Sequence, residues 1–195
     1  MREACIIRFM QCELCQNRVD ENNTKKILNM DICHACLNAD SLHVRLKDRG
    51  FNLSYAYLTK EGMIHPSEDF VFDYTVHKLS SLGIGPYDSN IDAVLVHEGF
   101  KAKVTKIFIK EIQVGDDKFD PKVYIKTDTP DETGAFLRLS RVQEVVMKLI
   151  DMQSEINIHG SKLYVMTHGN GPIDVNEFTL YSGLLLNLLM EFSQP

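Results

Sequence analysis

Cys12-Glu13-Leu14-Cys15 and, after seventeen further residues, Cys33-His34-Ala35-Cys36 decide how the first part of this chain folds. Two CxxC pairs meet the demands of a tetrahedral zinc site. Two residues between ligands allow a tight turn that aims both sulfurs at one ion, while backbone amides stay available to soften the thiolate charge. A pair of disulfides needs an oxidising setting, for which nothing in the sequence argues, and a thioredoxin-like site needs only one CxxC on a β-α framework. One zinc ion on Cys12, Cys15, Cys33 and Cys36 is therefore the expectation. Its role is structural, because four cysteines leave no position open for water or substrate. His34, inside the second pair, reads as a surface histidine.

Between the pairs, Asn17, Asn22 and Asn23 are turn formers and Lys25 to Met30 reads as a short hairpin strand. After Cys36, Leu37, Leu42, Val44 and Leu46 among polar residues suit a helix, or a helix followed by a strand, ending near Gly50. The stretch from Cys12 to Cys36, with DICHACLN in its second half, resembles a treble-clef finger. Its spacing resembles that of GATA-type fingers, and CELC followed by KKILNMDICHACL is similar to the zinc-binding domain of ClpX-type unfoldases. The resemblance covers about the first fifth of the chain. GATA-type fingers imply DNA reading with arginines and a basic tail. Here Arg18, Lys25, Lys26, Arg45, Lys47 and Arg49 are offset by Glu13, Asp20, Glu21, Asp31, Asp40 and Asp48. The ClpX-type likeness implies docking of protein partners or self-association, which a charge-balanced finger permits. Nucleases of the HNH kind carry similar cysteine pairs with catalytic histidines between them, and no histidine lies between Cys15 and Cys33.

At 195 residues the chain has room for a finger over 1–50 and one further domain over 51–195. A net charge of -6 argues against coating nucleic acid by charge alone, since such binding displaces counterions with many lysines and arginines. Arg2, Glu3 and Arg8 interrupt the first ten residues, so this stretch reads as mature sequence and not as a secretory leader. The most apolar run, Leu184 to Met190, is broken by Asn187 and falls short of the roughly 18 residues that a membrane span needs. Cys5 remains as an odd thiol, which fits a reducing compartment, so a cytoplasmic location is expected; the residue's role is left open.

From Phe51 onward, alternation marks strands at Phe51 to Tyr57 and Phe70 to Val76, with a turn at Gly62. Leu82-Gly83-Ile84-Gly85-Pro86-Tyr87 reads as a loop. Strands are expected again at Ala93 to His97, Lys103 to Ile112 and Lys122 to Lys126, with a turn at Gly115-Asp116-Asp117. Ser140 and Gln143 form a capping box ahead of Val142, Val145, Val146, Leu149 and Ile150 at helical spacing. A second helix starts near Asp174, capped with Glu177, and its apolar face is wider than one stripe, so it is buried in its own core or covered by a partner. Strands first and helices afterwards give an α+β class: a treble-clef finger, then a mainly antiparallel sheet domain with two C-terminal helices.

Two further features invite chemistry. Strand, glycine loop and helix meet at His168, Gly169, Asn170 and Gly171, an arrangement able to hold an anion at an electropositive helix start, against the simpler reading of a tight polar turn. An enzyme using His168 is one reading, although no cysteine follows Cys36 to act as a nucleophile beside it. Lys101, Lys103 and Lys106 open a lysine series that meets phosphates or lies on a solvated sheet face. The leading expectation is a zinc-finger regulatory or adaptor protein that docks a protein partner and is not an enzyme, with the finger and last helix as contact surfaces. The alternative is a nucleic-acid-binding, transcription-related regulator using the finger and the lysine-bearing sheet. Self-association is compatible with either, and no membrane partner is expected.

Overall fold

Asp92–His97, Val123–Thr127 and Ser154–His159 are strands because their apolar residues serve two different sides of one sheet. Ala93, Leu95, Val123, Ile125, Ile156 and Ile158 point into the main core, while Val94, Val96 and Tyr124 form a separate buried cluster on the opposite face. This is the period-two geometry of a strand. The computed structural model describes residues 9–38, 41, 44–45, 48, 52–59, 62–64, 78–85, 89–99, 110–160, 162–167 and 174–193.

In the finger, β1 (Phe9–Gln11) pairs with β2 (Arg18–Asp20), and β3 (Thr24–Ile27) pairs with β4 (Met30–Cys33). The following strands are β5 (Asn52–Thr59), β6 (Gly62–Ile64), β7 (Lys78–Gly85), β8 (Asp92–His97), β9 (Lys110–Ile112), β10 (Val123–Thr127), β11 (Ser154–His159) and β12 (Lys162–Thr167). They build one eight-stranded sheet in the order β6-β5-β7-β12-β11-β8-β10-β9. Every pairing in it is antiparallel, with Leu95 opposite Ile156 and Ile125 at its centre. Helices α1 (Pro130–Leu137), α2 (Ser140–Asp151) and α3 (Val175–Phe192) complete an α+β fold. Helix α2 lies against β8 and β11, and α3 packs on α2 and reaches β7.

The α2 stripe is as the spacing predicts: Val142, Val145, Val146, Leu149 and Ile150 are all buried. Its cap is not. Leu139 is the N-cap residue, no side chain caps the helix, and Ser140 is already its first residue. The preceding helix is the reason. Leu139 N–H donates to the Phe136 carbonyl at 3.2 Å and the Leu139 carbonyl accepts from Gln143 at 3.0 Å, so the α1–α2 turn fixes the start one residue early. Helix α1 adds to the two helices expected. Pro130 stands at its beginning and Asp131 and Glu132 in its first turn, the positions where fixed φ and negative charge favour a helix. Asp174 caps α3, its carboxylate accepting from Glu177 N–H at 3.1 Å.

The glycines of Leu82 to Gly85 do not end regular structure: these residues belong to β7, where Gly83 pairs with Tyr164 on one side and Ser54 on the other. Two flanking strands override the weak local preference of glycine. The strands expected at Phe70 to Val76 and over 103–109 lie outside the described residues, and Lys110–Ile112 is the described end of the latter. At Gly115 the chain adopts a φ of 84°, and the Asp120 carboxylate accepts from the amides of Val114, Gly115 and Asp116. The wide apolar face of α3 is taken up within the chain. Leu184, Leu185, Leu186, Leu188 and Leu189 are all buried, which leaves that face no role as an open contact surface.

The helical period gives a direct comparison of neighbours. Leu149→Ala should lower stability by about 2–5 kcal/mol, the usual range for a large core truncation. The exposed neighbour Lys148→Ala should stay within about 0.5 kcal/mol. Urea unfolding of both variants checks this, and equal midpoints would contradict the assigned face.

Candidate metal centre

The finger is assembled by short-range backbone bonds before any ion is considered. In the first CxxC, Cys12 N–H donates to the Asn17 carbonyl at 2.9 Å and Gln16 N–H donates to the Cys12 carbonyl at 2.8 Å. Gln16 adopts a φ of 60°, which turns the chain sharply back after Cys15. Strands β1 and β2 frame this turn, with Met10 opposite Val19. The second CxxC is carried by the β3–β4 hairpin. Its two-residue loop, Leu28-Asn29, has positive φ at both positions, the geometry of a type I′ turn. Strand β4 delivers Cys33, and a 3-10 turn over His34–Leu37 delivers Cys36. His34 is exposed, as expected.

Cys12, Cys15, Cys33 and Cys36 are all buried, and their sulfurs lie within 4.8 Å of one another. The Cys12–Cys36 and Cys15–Cys33 sulfurs are each 3.8 Å apart. Metal–sulfur bonds of about 2.3 Å in a tetrahedron give sulfur–sulfur edges of about 3.8 Å, so the donor set already has the span a single ion requires. A disulfide needs about 2.05 Å, and all four cysteines are free. Cys33 N–H donates to Cys12 Sγ at 3.3 Å and Arg45 Nη1 donates to Cys15 Sγ at 3.8 Å, two contacts that disperse negative charge on sulfur. Arg45 belongs to the residues after the second CxxC, of which Ser41, Val44, Arg45 and Asp48 are helical.

The thiols are poised unequally. The Cys36 hydrogen bond pulls the Cys12 thiol well below its ordinary value, despite burial. The same bond, with burial, pushes Cys36 far up, and burial raises Cys15. Buried sulfurs this close cannot all carry charge beside one another without a cation, and a divalent ion reverses that balance. The arrangement can therefore hold one metal ion with four sulfur donors.

The finger does not stand apart from the rest of the chain. Leu14, Met30 and Ile32 share one continuous core with Phe136, Leu149 and Leu185. Glu13 accepts from Asp31 N–H at 3.1 Å, and its carboxylate pairs with Arg141 of α2. Asn187 of α3 donates through Nδ2 to the carbonyls of Glu13 and Leu14. Sequence reasoning missed Arg45, Arg141 and Asn187. The one readable sign was Asn187 as a polar break in an otherwise leucine-rich run.

The remaining candidates fall differently. Lys101, Lys103 and Lys106, the His168, Gly169, Asn170 and Gly171 loop, and Cys5 lie outside the described residues. His159 Nδ1 sits 2.7 Å from an Asp92 carboxylate oxygen, a cross-strand pair with both partners about two-fifths exposed. The described residues include a surface cleft of about 300 Å³ lined by Glu98, Glu111 and Tyr124 and one of about 390 Å³ lined by Leu28, Phe119 and Met147. Asp116, beside the second cleft, has its carboxyl held below the usual range by the Lys118 and Phe119 amides, which marks a turn role. No helix among the described residues is long and apolar enough to cross a membrane. Comparison with family models, curated proteins and solved structures returns no match.

Cobalt(II) titration reads the donor set. The chain should take up one equivalent with the intense thiolate-to-metal absorption and visible bands of a tetrahedral all-sulfur site, and Cys33→Ser should weaken both. Metal affinity should fall as pH is lowered, because protons compete for the thiolates. Absence of sulfur charge-transfer absorption in the reduced chain would sink the assignment.

Proposed function

We propose that the ion is zinc and that the chain is a cytoplasmic zinc-finger regulator or adaptor whose finger docks a protein partner. Two cysteine pairs, an intervening hairpin and helical residues after the second pair support a treble-clef arrangement. Four thiolate donors suit zinc, which binds sulfur tightly and has no geometric demand beyond the tetrahedron.

The observation that carries the docking role is on strands β1 and β2 of the finger. Phe9 is 55 % exposed, and the Arg18 guanidinium carbon lies 4.9 Å from its ring centroid. Aromatic rings and arginines are the residues most often found at the energetic centre of protein interfaces, and each holds the other in place here through a cation–π contact. Elsewhere on the finger Lys25 and Lys26 are exposed, as is Glu21, with Asp20 half-buried, so the described finger surface has no one-signed field of the kind that nucleic acid demands.

Elemental analysis should find one zinc per chain. In cross-linked affinity capture from the native host, the full chain should retain protein partners after nuclease treatment. The Phe9→Ala/Arg18→Ala variant should keep its zinc and lose those partners by about tenfold or more, the effect of removing about 1.4 kcal/mol or more of contact energy. Complete loss of the captured material on nuclease treatment overturns the reading in favour of nucleic acid. Capture indifferent to the double substitution overturns the assigned surface.

A further inference from the structure

The two residues between Cys12 and Cys15 make polar contacts that tie the finger to the helices. Leu14 is fully buried in the shared core. The Glu13 carboxylate meets Arg141. Both backbone carbonyls, of Glu13 and of Leu14, accept from Asn187 Nδ2, the latter at 2.8 Å. Asn187 is 4 % exposed and stands on α3 between the buried Leu186 and Leu188. A primary amide has two N–H protons, and here the acceptors for them come from a turn whose shape is set by the sulfurs on either side of it.

We propose that metal occupancy of the cysteine site and seating of α3 are one linked equilibrium, with Asn187 as the clasp. The ion fixes the Cys12–Cys15 turn, and the fixed turn presents its carbonyls to the helix. When the ion leaves, hydrogen bonds to Asn17, Gln16 and Asp31 still hold that turn, but now against buried sulfurs that no longer share a cation. Once it relaxes, Asn187 Nδ2 loses the Glu13 and Leu14 carbonyls at a position among buried leucines, and the loss of buried hydrogen bonds is costly. The helix then lifts the segment around Asn187 away from the core. Linkage is reciprocal, so a seated helix tightens metal binding by the same free energy that the metal lends to its seating, and slower release is the expected expression of that tightening. This rests on the metal reading above and is independent of the docking role.

The test uses the full chain with its metal content measured first. Hydrogen–deuterium exchange is followed before and after removal of the ion with a chelator, and the release rate is read with a chromogenic chelator. Chelation should raise exchange at least tenfold both around Cys12–Cys15 and across Val175–Phe192. Asn187→Leu should release metal at least fivefold faster, because the turn loses its donor. Its helix should also stay protected after chelation, because leucine needs no acceptor. A metal-loaded wild-type chain whose α3 exchange ignores chelation overturns the linkage while leaving the metal reading intact, and this measurement decides even where the variant fails to fold. A wild-type release rate in folded Asn187→Leu also overturns it. A chain purified without metal sinks the metal reading and the linkage together.

Discussion

Four sulfurs within 4.8 Å of one another in a buried position are a constraint before they are a site. Thiols there are costly to ionise together, and thiolates there are costly to leave without a counter-charge. A single divalent ion resolves both at once, with Cys33 N–H and the Arg45 guanidinium sharing part of the remaining negative charge. The turns around the cysteines follow from the same need. A left-handed Gln16, a type I′ loop at Leu28-Asn29 and a 3-10 turn at His34–Leu37 are short devices for bringing distant sulfurs to one point. The Leu28 position shows the cost accepted, since a branched residue rarely adopts positive φ.

A finger of this size has too little apolar surface to be stable by burial alone, so it borrows. Leu14, Met30 and Ile32 are buried in a core that continues into the helices. The loan runs in both directions. The broad leucine face of α3 needs a cover as well as a sheet, and the cysteine turn provides part of it, with Asn187 fixing the register of one against the other. A buried polar pair of this kind adds specificity more reliably than it adds stability, because a wrongly seated helix would bury the amide without acceptors.

What could be read from the sequence was whatever repeats or closes locally. The CxxC spacing, the α2 stripe and the Asp174 cap each depend on residues within a few positions of one another, and each stands in the structure. What could not be read depends on partners far along the chain. Gly83 lies in a strand because β5 and β12 flank it, and Gly85 because it pairs with Asn52 of β5, which no window around the glycines reveals. The Ser140 cap is displaced by the turn from α1, and α1 itself, with Gly134 in its interior, carries a weak signal apart from Pro130 and its acids. Arg141 and Asn187 meet residues more than a hundred positions away, so their roles became visible only with the fold.

The packing also narrows where recognition can occur. A helix with its leucines turned inward offers a partner little beyond its ends and its polar flank, so the apolar excess that drew attention in the sequence is spent on cohesion. The inner face of the finger is likewise committed, through Leu14 and Glu13, to the helices. The described exposed surface of the finger includes strands β1 and β2, where an aromatic ring and a guanidinium stack in the open. Beyond its cation–π contact, an exposed ring of this kind gains little for the isolated chain, since it forgoes much of the burial of apolar area that stabilises a fold. On the docking role proposed above, another surface would complete the burial of this ring, and balanced charges on the finger suit a protein surface better than a uniformly anionic one.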